Sequence, residues 1–178
     1  IHAWAAHIPG VKVVVPSTAG ECKGLLKTAI RDNDPVMFFE HKMLYTTKFN
    51  DVPEVEEDVC IPFGRARIVA EGADITVVTN SMMTIKAEKA VRQLQKEGIS
   101  AELIDLRTIV PLDTETIIRS VKKTGKLLIV DEGHLSFGIT GEIASRIMPD
   151  VFYDLDAPIQ RMAPPTCPCP SAPRWSSR

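Results

Sequence analysis

The chain has 178 residues, of which 44% are hydrophobic and 25% charged, and its formal net charge is −2. These values are typical of a globular protein with one core or two small ones. The balanced charge does not favour nucleic acid or an anionic membrane as a partner, and no apolar run approaches the length of a membrane span.

The ends and the cysteines narrow the class of protein further. The first residues, Ile1-His2-Ala3-Trp4, include neither an initiator Met nor the basic start of a signal or transit peptide, so we expect a piece of a longer chain. The four cysteines form no CxxC pair, which argues against a structural zinc site. Free thiols in a reducing compartment are the simplest expectation.

Residues 11–40 predict a β-α-β unit. A short β-branched strand over residues 12–15 ends at Pro16, and Thr18 with Glu21 has capping-box spacing for a helix. The apolar residues of that helix predict one buried face, formed by Leu25, Leu26, Ala29 and Ile30. Residues 32–35 end the helix, and residues 36–39 form an apolar strand that we expect to pair in parallel with the first.

The region after residue 59 predicts a second α/β domain. Strands are expected over residues 75–79, 101–106 and 126–130, with helices over residues 83–97 and 113–123. Because each crossover is helical, the three strands should be neighbours and largely parallel.

The connections in this second domain are predicted as well. Residues 107–112 should form a loop punctuated by Pro111, and Asp113 should cap the following helix. Isoleucines at 139, 143 and 147 predict a last helix that stops at Pro149, and residues 151–155 resemble a final strand.

Composition divides the chain into four parts. Residues 1–47 form an incomplete first domain, the acidic residues 48–58 a linker, and residues 59–162 a nearly complete second domain. Residues 163–178 are rich in Pro and Ser without periodicity and should form a disordered, atypical tail. We expect the second domain to fold alone and the first segment to be poorly ordered.

Three motifs carry a family resemblance. DLRTIVPLD at residues 105–113, LLIVDEG at 127–133 and AWAAHIPGVKVVVPS at 3–17 resemble the β subunit of thiamine-diphosphate-dependent 2-oxo acid dehydrogenase E1 components. The resemblance covers roughly residues 3–162 and implies a three-layer α/β/α transketolase C-terminal-like domain with a mainly parallel sheet. The remnant of a pyrimidine-binding α/β domain would precede it.

His7 is the candidate catalytic residue. A histidine beside apolar residues is more often a packed structural residue, but AWAAHIPG resembles the family motif whose histidine lines the thiamine diphosphate pocket. In that family the histidine orients substrate and lipoyl groups and moves protons. The acidic residue that contacts the aminopyrimidine would lie upstream of residue 1, so no cofactor-binding residue is assigned within this chain.

Residues 29–35 resemble a segment that binds a structural potassium ion in the family. The residues alone indicate an ordinary helix end with free carbonyls and an acidic turn. The resemblance implies that the carbonyls of Ala29, Ile30 and Asp32, and a contribution from Asp34, act as ligands. Asp34 stands where the family often has Asn.

Three other polar stretches have simpler interpretations. Glu40-His41-Lys42 is expected to be a charged turn, although FFEHKMLY resembles acetoin and bacterial pyruvate members. The loop over residues 131–134 is expected at a subunit or partner interface. Residues 138–141 lack the pattern of a phosphate loop and predict a tight turn into a helix.

The resemblance implies decarboxylation of a 2-oxo acid, pyruvate in the first instance, and reductive acylation of a lipoyl group on E2. Thiamine diphosphate and magnesium would be shared with an E1 α subunit; the other partners would be a second β subunit and the E2 acyltransferase. Alternatives are an acetoin dehydrogenase β subunit, a non-catalytic interaction module, or transketolase and deoxyxylulose-phosphate synthase, which share the domain. The expected compartment is the bacterial cytoplasm, or the mitochondrial matrix or plastid of a eukaryote.

Overall fold

The computed structural model describes residues 1–46 and 59–164. The predicted linker at 48–58 and the predicted tail from residue 165 onward lie outside the described residues. The elements are, in chain order, α1 (His2–Ala6), β1 (Lys12–Val14), α2 (Ala19–Arg31), β2 (Val36–Phe38), a 3₁₀ turn (Lys42–Tyr45), β3 (Arg67–Ala70), β4 (Ile75–Thr79), α3 (Ser81–Lys96), β5 (Ala101–Asp105), β6 (Thr108–Val110), α4 (Thr114–Thr124), β7 (Leu127–Val130), α5 (Ile139–Val151) and β8 (Gln160–Met162).

A five-stranded sheet organises the larger part of the chain, which we call the main domain (residues 59–164). Its strand order is β3-β5-β4-β7-β8, and β4 pairs in parallel with both β5 and β7. The predicted parallel neighbourhood of these three strands is therefore confirmed. β3 joins the edge in the antiparallel direction, and β8 extends the other edge in parallel.

Helices cover both faces of this sheet. Alternate residues of a strand point to opposite faces, and here Val78 and Ile104 pack in one core cluster with α4 and α5. Val77 and Leu103 point the other way and pack in a second cluster with α3. The predicted three-layer α/β/α arrangement is confirmed.

Two helices begin and end where local chemistry predicts. The Asp113 carboxylate accepts from the N–H of Thr116 at 3.0 Å and caps α4, whose end is a left-handed Gly125 with φ 66°. Thr18 caps α2 by accepting from the N–H of Glu21 at 3.2 Å. These side chains satisfy backbone donors that a helix start leaves unpaired.

A second, three-stranded sheet joins the N-terminal segment (residues 1–46) to the main domain. β1 pairs in parallel with β2, as predicted, and antiparallel with β6. The expectation that residues 107–112 form a loop is wrong, because Thr108–Val110 find a partner strand that is remote in sequence. Arg107 makes the turn between the two sheets with φ 59°, a left-handed conformation that is uncommon outside glycine.

The N-terminal segment is built into the main core. Ala5, Val13 and Val15 are essentially fully buried in the same cluster as Ile104 and residues of α4 and α5. The expectation of a poorly ordered first segment is wrong for residues 1–46, because this apolar surface is removed from water only when the segment packs on the main domain.

The apolar face predicted for α2 is narrower than expected. Leu25 is fully buried, whereas Leu26 is 43% exposed and Ile30 is 76% exposed. The helix packs closely near Gly24, where an added Cβ would come within 2.7 Å of Ile61. The side of the helix that carries Ile30 has no packing partner among the described residues.

The C-terminal elements differ from the prediction in two places. Pro149 does not stop α5, which continues to Val151. Proline removes one helical hydrogen bond, and the complete burial of Ile147 and Val151 offsets that loss within the last turn. The strand predicted over residues 151–155 is also wrong: these residues end the helix and form a turn, and the last strand is β8.

Candidate functional site

His7 lies at the C-terminal end of α1, where its backbone N–H donates to the carbonyl of Trp4 at 3.2 Å. The residue is exposed and lines an open cavity of about 740 Å³ between α1, β6 and the start of α5. The walls are largely apolar, with Ile109 and Leu112 on β6 and its exit and Phe137 before α5. The structure thus places His7 on an accessible apolar cavity rather than in the core.

His7 is the only imidazole among the residues that line this cavity. An imidazole can donate or accept a proton in a reaction, and apolar walls strengthen electrostatic interactions by excluding water. An ion pair between Glu142 and Arg146, at 2.6 Å, borders the cavity. Gly138 caps α5 at the rim, so the predicted tight turn into a helix is confirmed.

The four residues predicted to bind potassium lie together at the end of α2. The carbonyl of Ala29 accepts from the N–H of Asp32 at 3.3 Å, and Ile30 is exposed. The Lys12 ammonium lies 2.7 Å from the carboxylate of Asp32 and 3.0 Å from that of Asp34. This ammonium lowers the pKa of the Asp32 carboxyl, so an internal cation already offsets part of the negative charge of the two side chains.

A contact missed at the sequence level lies at the carboxyl edge of the main sheet. The Asp131 carboxylate, which follows β7, receives hydrogen bonds from His2 Nε2 at 3.2 Å and from the Asn80 amide at 3.0 Å. Burial raises the pKa of Asp131, but His2 and Asn80 outweigh that effect and the net pKa shift is downward. The only local signal was a histidine in the first turn of the chain, too weak to predict a long-range partner.

The next residue makes a second contact of the same kind. Glu132 lies 2.8 Å from His41 Nε2, so consecutive carboxylates of the main domain each hold a histidine of the N-terminal segment. The loop over residues 131–134, predicted to be a subunit or partner interface, contacts the chain's own first segment at these two residues. The interface with another chain stays a prediction.

Glu40 takes part in a small cluster rather than standing alone. Its carboxylate accepts from the Cys22 thiol at 2.8 Å and from the Tyr45 hydroxyl at 2.7 Å, beside a mostly apolar cavity of about 500 Å³. Burial, together with Glu40, raises the pKa of the Cys22 thiol to about 12. A thiol held in its neutral form is a poor nucleophile, so the cluster supports the predicted turn rather than catalysis.

A buried ion cluster links α2 to β3 and β5. The Glu21 carboxylate accepts from Arg107 Nε at 2.8 Å; Arg67 Nε lies 2.7 Å from the same oxygen, although its N–H does not point at it. Arg67 Nη2 lies 3.4 Å from the carboxylate of Asp105. Burial and the charge of Glu21 raise the pKa of Asp105 to about 7. Asp105 therefore keeps its proton to a higher pH than an ordinary aspartate does.

The part of the chain that the structure describes contains neither a metal-ligand cluster nor a helix that could cross a membrane. Within residues 1–46 and 59–164, no group of three or more His, Cys, Asp or Glu side chains is arranged to hold a metal ion. In the same residues, no helix has the length and apolar character needed to cross a membrane.

Two family profiles match the chain. The profile described as Transketolase, C-terminal domain, matches residues 64–176, and the profile described as Transketolase, pyrimidine binding domain, matches residues 1–48. A solved structure described as a split gene transketolase, an inactive beta4 tetramer, superposes with a TM-score of 0.72 over 92% of this chain and 51% of that one. Its sequence is 24% identical, so this likeness shows the fold alone.

Curated relatives match almost the whole chain. The pyruvate dehydrogenase E1 component subunit beta of Rhizobium meliloti is 48% identical over 96% of this chain and 36% of its own length. The 2-oxoisovalerate dehydrogenase subunit beta of Bacillus subtilis is 47% identical over 97% and 53%. The beta subunit of acetoin:2,6-dichlorophenolindophenol oxidoreductase of Cupriavidus necator is 47% identical over 94% and 48%. The chain spans about half or less of the length of these relatives.

Proposed function

Because the chain belongs to the transketolase C-terminal domain family and resembles E1 β subunits over nearly its whole length, we propose that it acts within a 2-oxo acid dehydrogenase E1 component. The proposed reaction is decarboxylation of pyruvate or a related 2-oxo acid, followed by reductive acylation of a lipoyl group on E2. The observation that carries the proposal is His7, the one imidazole on a large, accessible apolar cavity.

The proposed division of the chain follows the two family matches. Residues 1–47 correspond to the end of a pyrimidine-binding domain and residues 59–162 to the transketolase C-terminal-like domain. β6 of the second domain completes the sheet of the first, so we propose that the two act as one rigid support for His7.

The proposed cofactor is thiamine diphosphate with magnesium, bound between this chain and an E1 α subunit. When bound, thiamine diphosphate supplies the electron sink for decarboxylation. The cavity around His7 suits the reacting part of such a site, since its walls are largely apolar and it holds an imidazole. The described residues contribute no acidic cluster for a metal–diphosphate group, which supports placing that group on the α subunit.

The role proposed for His7 is to orient the 2-oxo acid and the lipoyl group and to move a proton at its imidazole. Ile109, Leu112 and Phe137 would exclude water from the reacting groups. The further partners proposed are a second β subunit and the E2 acyltransferase, and the proposed compartment is the bacterial cytoplasm.

A potassium ion at the end of α2 belongs to the same proposal. The carbonyls of Ala29, Ile30 and Asp32 are the proposed ligands, with a contribution from Asp34. Lys12 already pairs with the two carboxylates, so the backbone carbonyls would supply most of the coordination.

The experiment is a chimera in which residues 1–164 replace the matching segment of the Rhizobium meliloti β subunit, assembled with its α subunit in excess. His7→Ala should lower kcat by roughly 10²-fold, as expected for loss of a general acid or base, with a smaller change in thiamine diphosphate affinity. Lys89→Ala is the control, because Lys89 is exposed on α3 and does not line the cavity. Near-wild-type turnover of the His7 variant with a lipoyl acceptor would contradict the assignment.

The same chimera tests the substrate. Relatives named for pyruvate, 2-oxoisovalerate and acetoin are similar to this chain at 48%, 47% and 47% identity. Comparing kcat/KM for the three compounds separates the pyruvate proposal from the acetoin alternative. The pyruvate proposal requires the highest kcat/KM for pyruvate.

A further inference from the structure

The order in which the chain adds strands to the main sheet reverses between β4 and β7. From β4 the chain reaches β5 on one side through α3, and later enters β7 on the other side through α4. In open α/β sheets, the crevice at the carboxyl ends of two such strands is the usual place for a ligand. Here Asp131, which follows β7, accepts hydrogen bonds both from Asn80, which follows β4, and from His2 of the N-terminal segment.

Asp131 is the centre of this crevice. Its carboxylate is almost completely buried and accepts hydrogen bonds from His2 Nε2 at 3.2 Å, the Asn80 amide at 3.0 Å and the N–H of Gly133 at 3.0 Å. An ionised carboxylate only accepts hydrogen bonds, so the proton of the His2 ring lies on Nε2. The three donors leave the carboxylate satisfied without any ligand.

Helix α1 needs such an external contact. It has five residues, and an isolated helix of that length is unstable in water. Its contacts with the rest of the chain include Ala5, fully buried in the core, Ala3 and Ala6 packed against that core, and the hydrogen bond from His2 to Asp131. His7 follows directly after the last residue of α1, so its position depends on how the helix is held.

We propose that Asp131 is a positioning residue for His7, acting through the buried hydrogen bond to His2 that fixes α1 at the switch point of the main sheet. The inference rests on the proposed role of His7. It adds that the carboxyl edge of the main sheet serves as an anchor for the first segment and not as a ligand site.

The chain offers a matched control for this contact. His41 and Glu132 form a second histidine–carboxylate pair at 2.8 Å, one residue further along the same loop. His41 precedes the 3₁₀ turn and does not belong to α1. Breaking this pair removes an equivalent contact between the segment and the main domain without releasing the helix that carries His7.

The test is NMR on the full 178-residue chain, with four variants. His2→Leu removes the donor, and His2→Gln replaces it with an amide N–H of similar reach. Asp131→Asn weakens the same contact from the other side by removing the charge of the acceptor, and His41→Leu is the control. The readouts are the imidazole signals of His7 and the hydrogen exchange of the α1 amides, with the amide of Val78 in β4 as a reference for global stability.

We expect His2→Leu to speed exchange of the α1 amides at least tenfold and to shift the His7 imidazole signals, while exchange at Val78 is unchanged. Asp131→Asn should shift the His7 signals in the same way, and His2→Gln should restore both readouts. His41→Leu should leave them at their wild-type values. The proposal is overturned if His2→Leu leaves the His7 signals unchanged, or if His2→Gln fails to restore them.

This measurement needs no turnover. If the chimera described above is inactive but His7 shifts as expected, the proposed function is wrong and the anchor stands. If the chimera is active and His7 does not shift, the anchor is wrong and the proposed function stands.

Discussion

The buried carboxyl of Asp105 makes a prediction about how stability depends on pH. Burial and the charge of Glu21 raise its pKa from 3.8 to about 7 in the folded protein. The folded state therefore binds more protons than the unfolded state between these two values. Below pH 4 the proton on Asp105 makes its full contribution to the free energy of unfolding, and that contribution is lost as the pH rises towards 7.

The magnitude follows from the size of the pKa shift. About three pKa units correspond to about 4 kcal/mol in total, and about 3 kcal/mol of that lies between pH 5 and pH 8. Asp105→Asn removes the titrating group while keeping an oxygen that can accept from the N–H of Arg107, 3.2 Å from the present carboxylate. The variant should gain stability relative to wild type as the pH rises from 5 to 8.

The assay is urea unfolding of both proteins at pH 5 and pH 8, with Asp150→Asn as a control at an exposed position. The difference in unfolding free energy between the two pH values should change by about 3 kcal/mol in the Asp105 variant, in the direction that favours pH 8. It should stay unchanged in the control. An Asp105 variant with the wild-type pH dependence would show that Asp105 does not hold the proton.

Three further substitutions test the fold. Replacing Ile104, which is fully buried, with Asp should unfold the chain, because an unpaired buried carboxylate costs several kcal/mol; circular dichroism that stays native would contradict this. Gly125→Ala should destabilise by about 1–2 kcal/mol, since its φ is +66° and the new Cβ would meet Asp156 at 2.3 Å. Gly98→Ala, at φ +85° with open space around it, should lower the free energy of unfolding by less. Thermal melts of the two glycine variants measure the difference.

Local signals explain why most of the main domain was predictable. The capping carboxylate of Asp113, the left-handed Gly125 and the β-branched run over residues 75–79 specify their elements from neighbours in sequence. The parallel pairing followed from helical crossovers of ordinary length. Such features need no knowledge of the rest of the chain.

The wrong predictions share one physical cause: each of these elements is fixed by a partner that lies far away in sequence. Thr108–Val110 become a strand because β1 lies beside them. Pro149 stays inside α5 because Val151 is drawn into the core, and residues 160–162 become a strand because β7 has an open edge to pair with.

The candidate site was only partly predictable for the same reason. The motif around His7 resembles one whose histidine lines a thiamine diphosphate pocket; the structure places His7 on a cavity, and its catalytic role stays a prediction. The hydrogen bond from His2 to Asp131 joins residues 129 positions apart, and no local sequence pattern predicts it. The potassium ligands stay a prediction, with Lys12 as a contact that the sequence alone did not indicate.

We propose that this chain contributes His7 and its largely apolar cavity to a site whose cofactor-holding groups lie on another chain. Calorimetric titration of the purified 178-residue chain with thiamine diphosphate and magnesium tests it directly. Because the proposed cofactor is shared with an E1 α subunit, we predict no measurable binding and no decarboxylase activity for this chain by itself. Micromolar affinity for the cofactor in the absence of an α subunit would contradict the account.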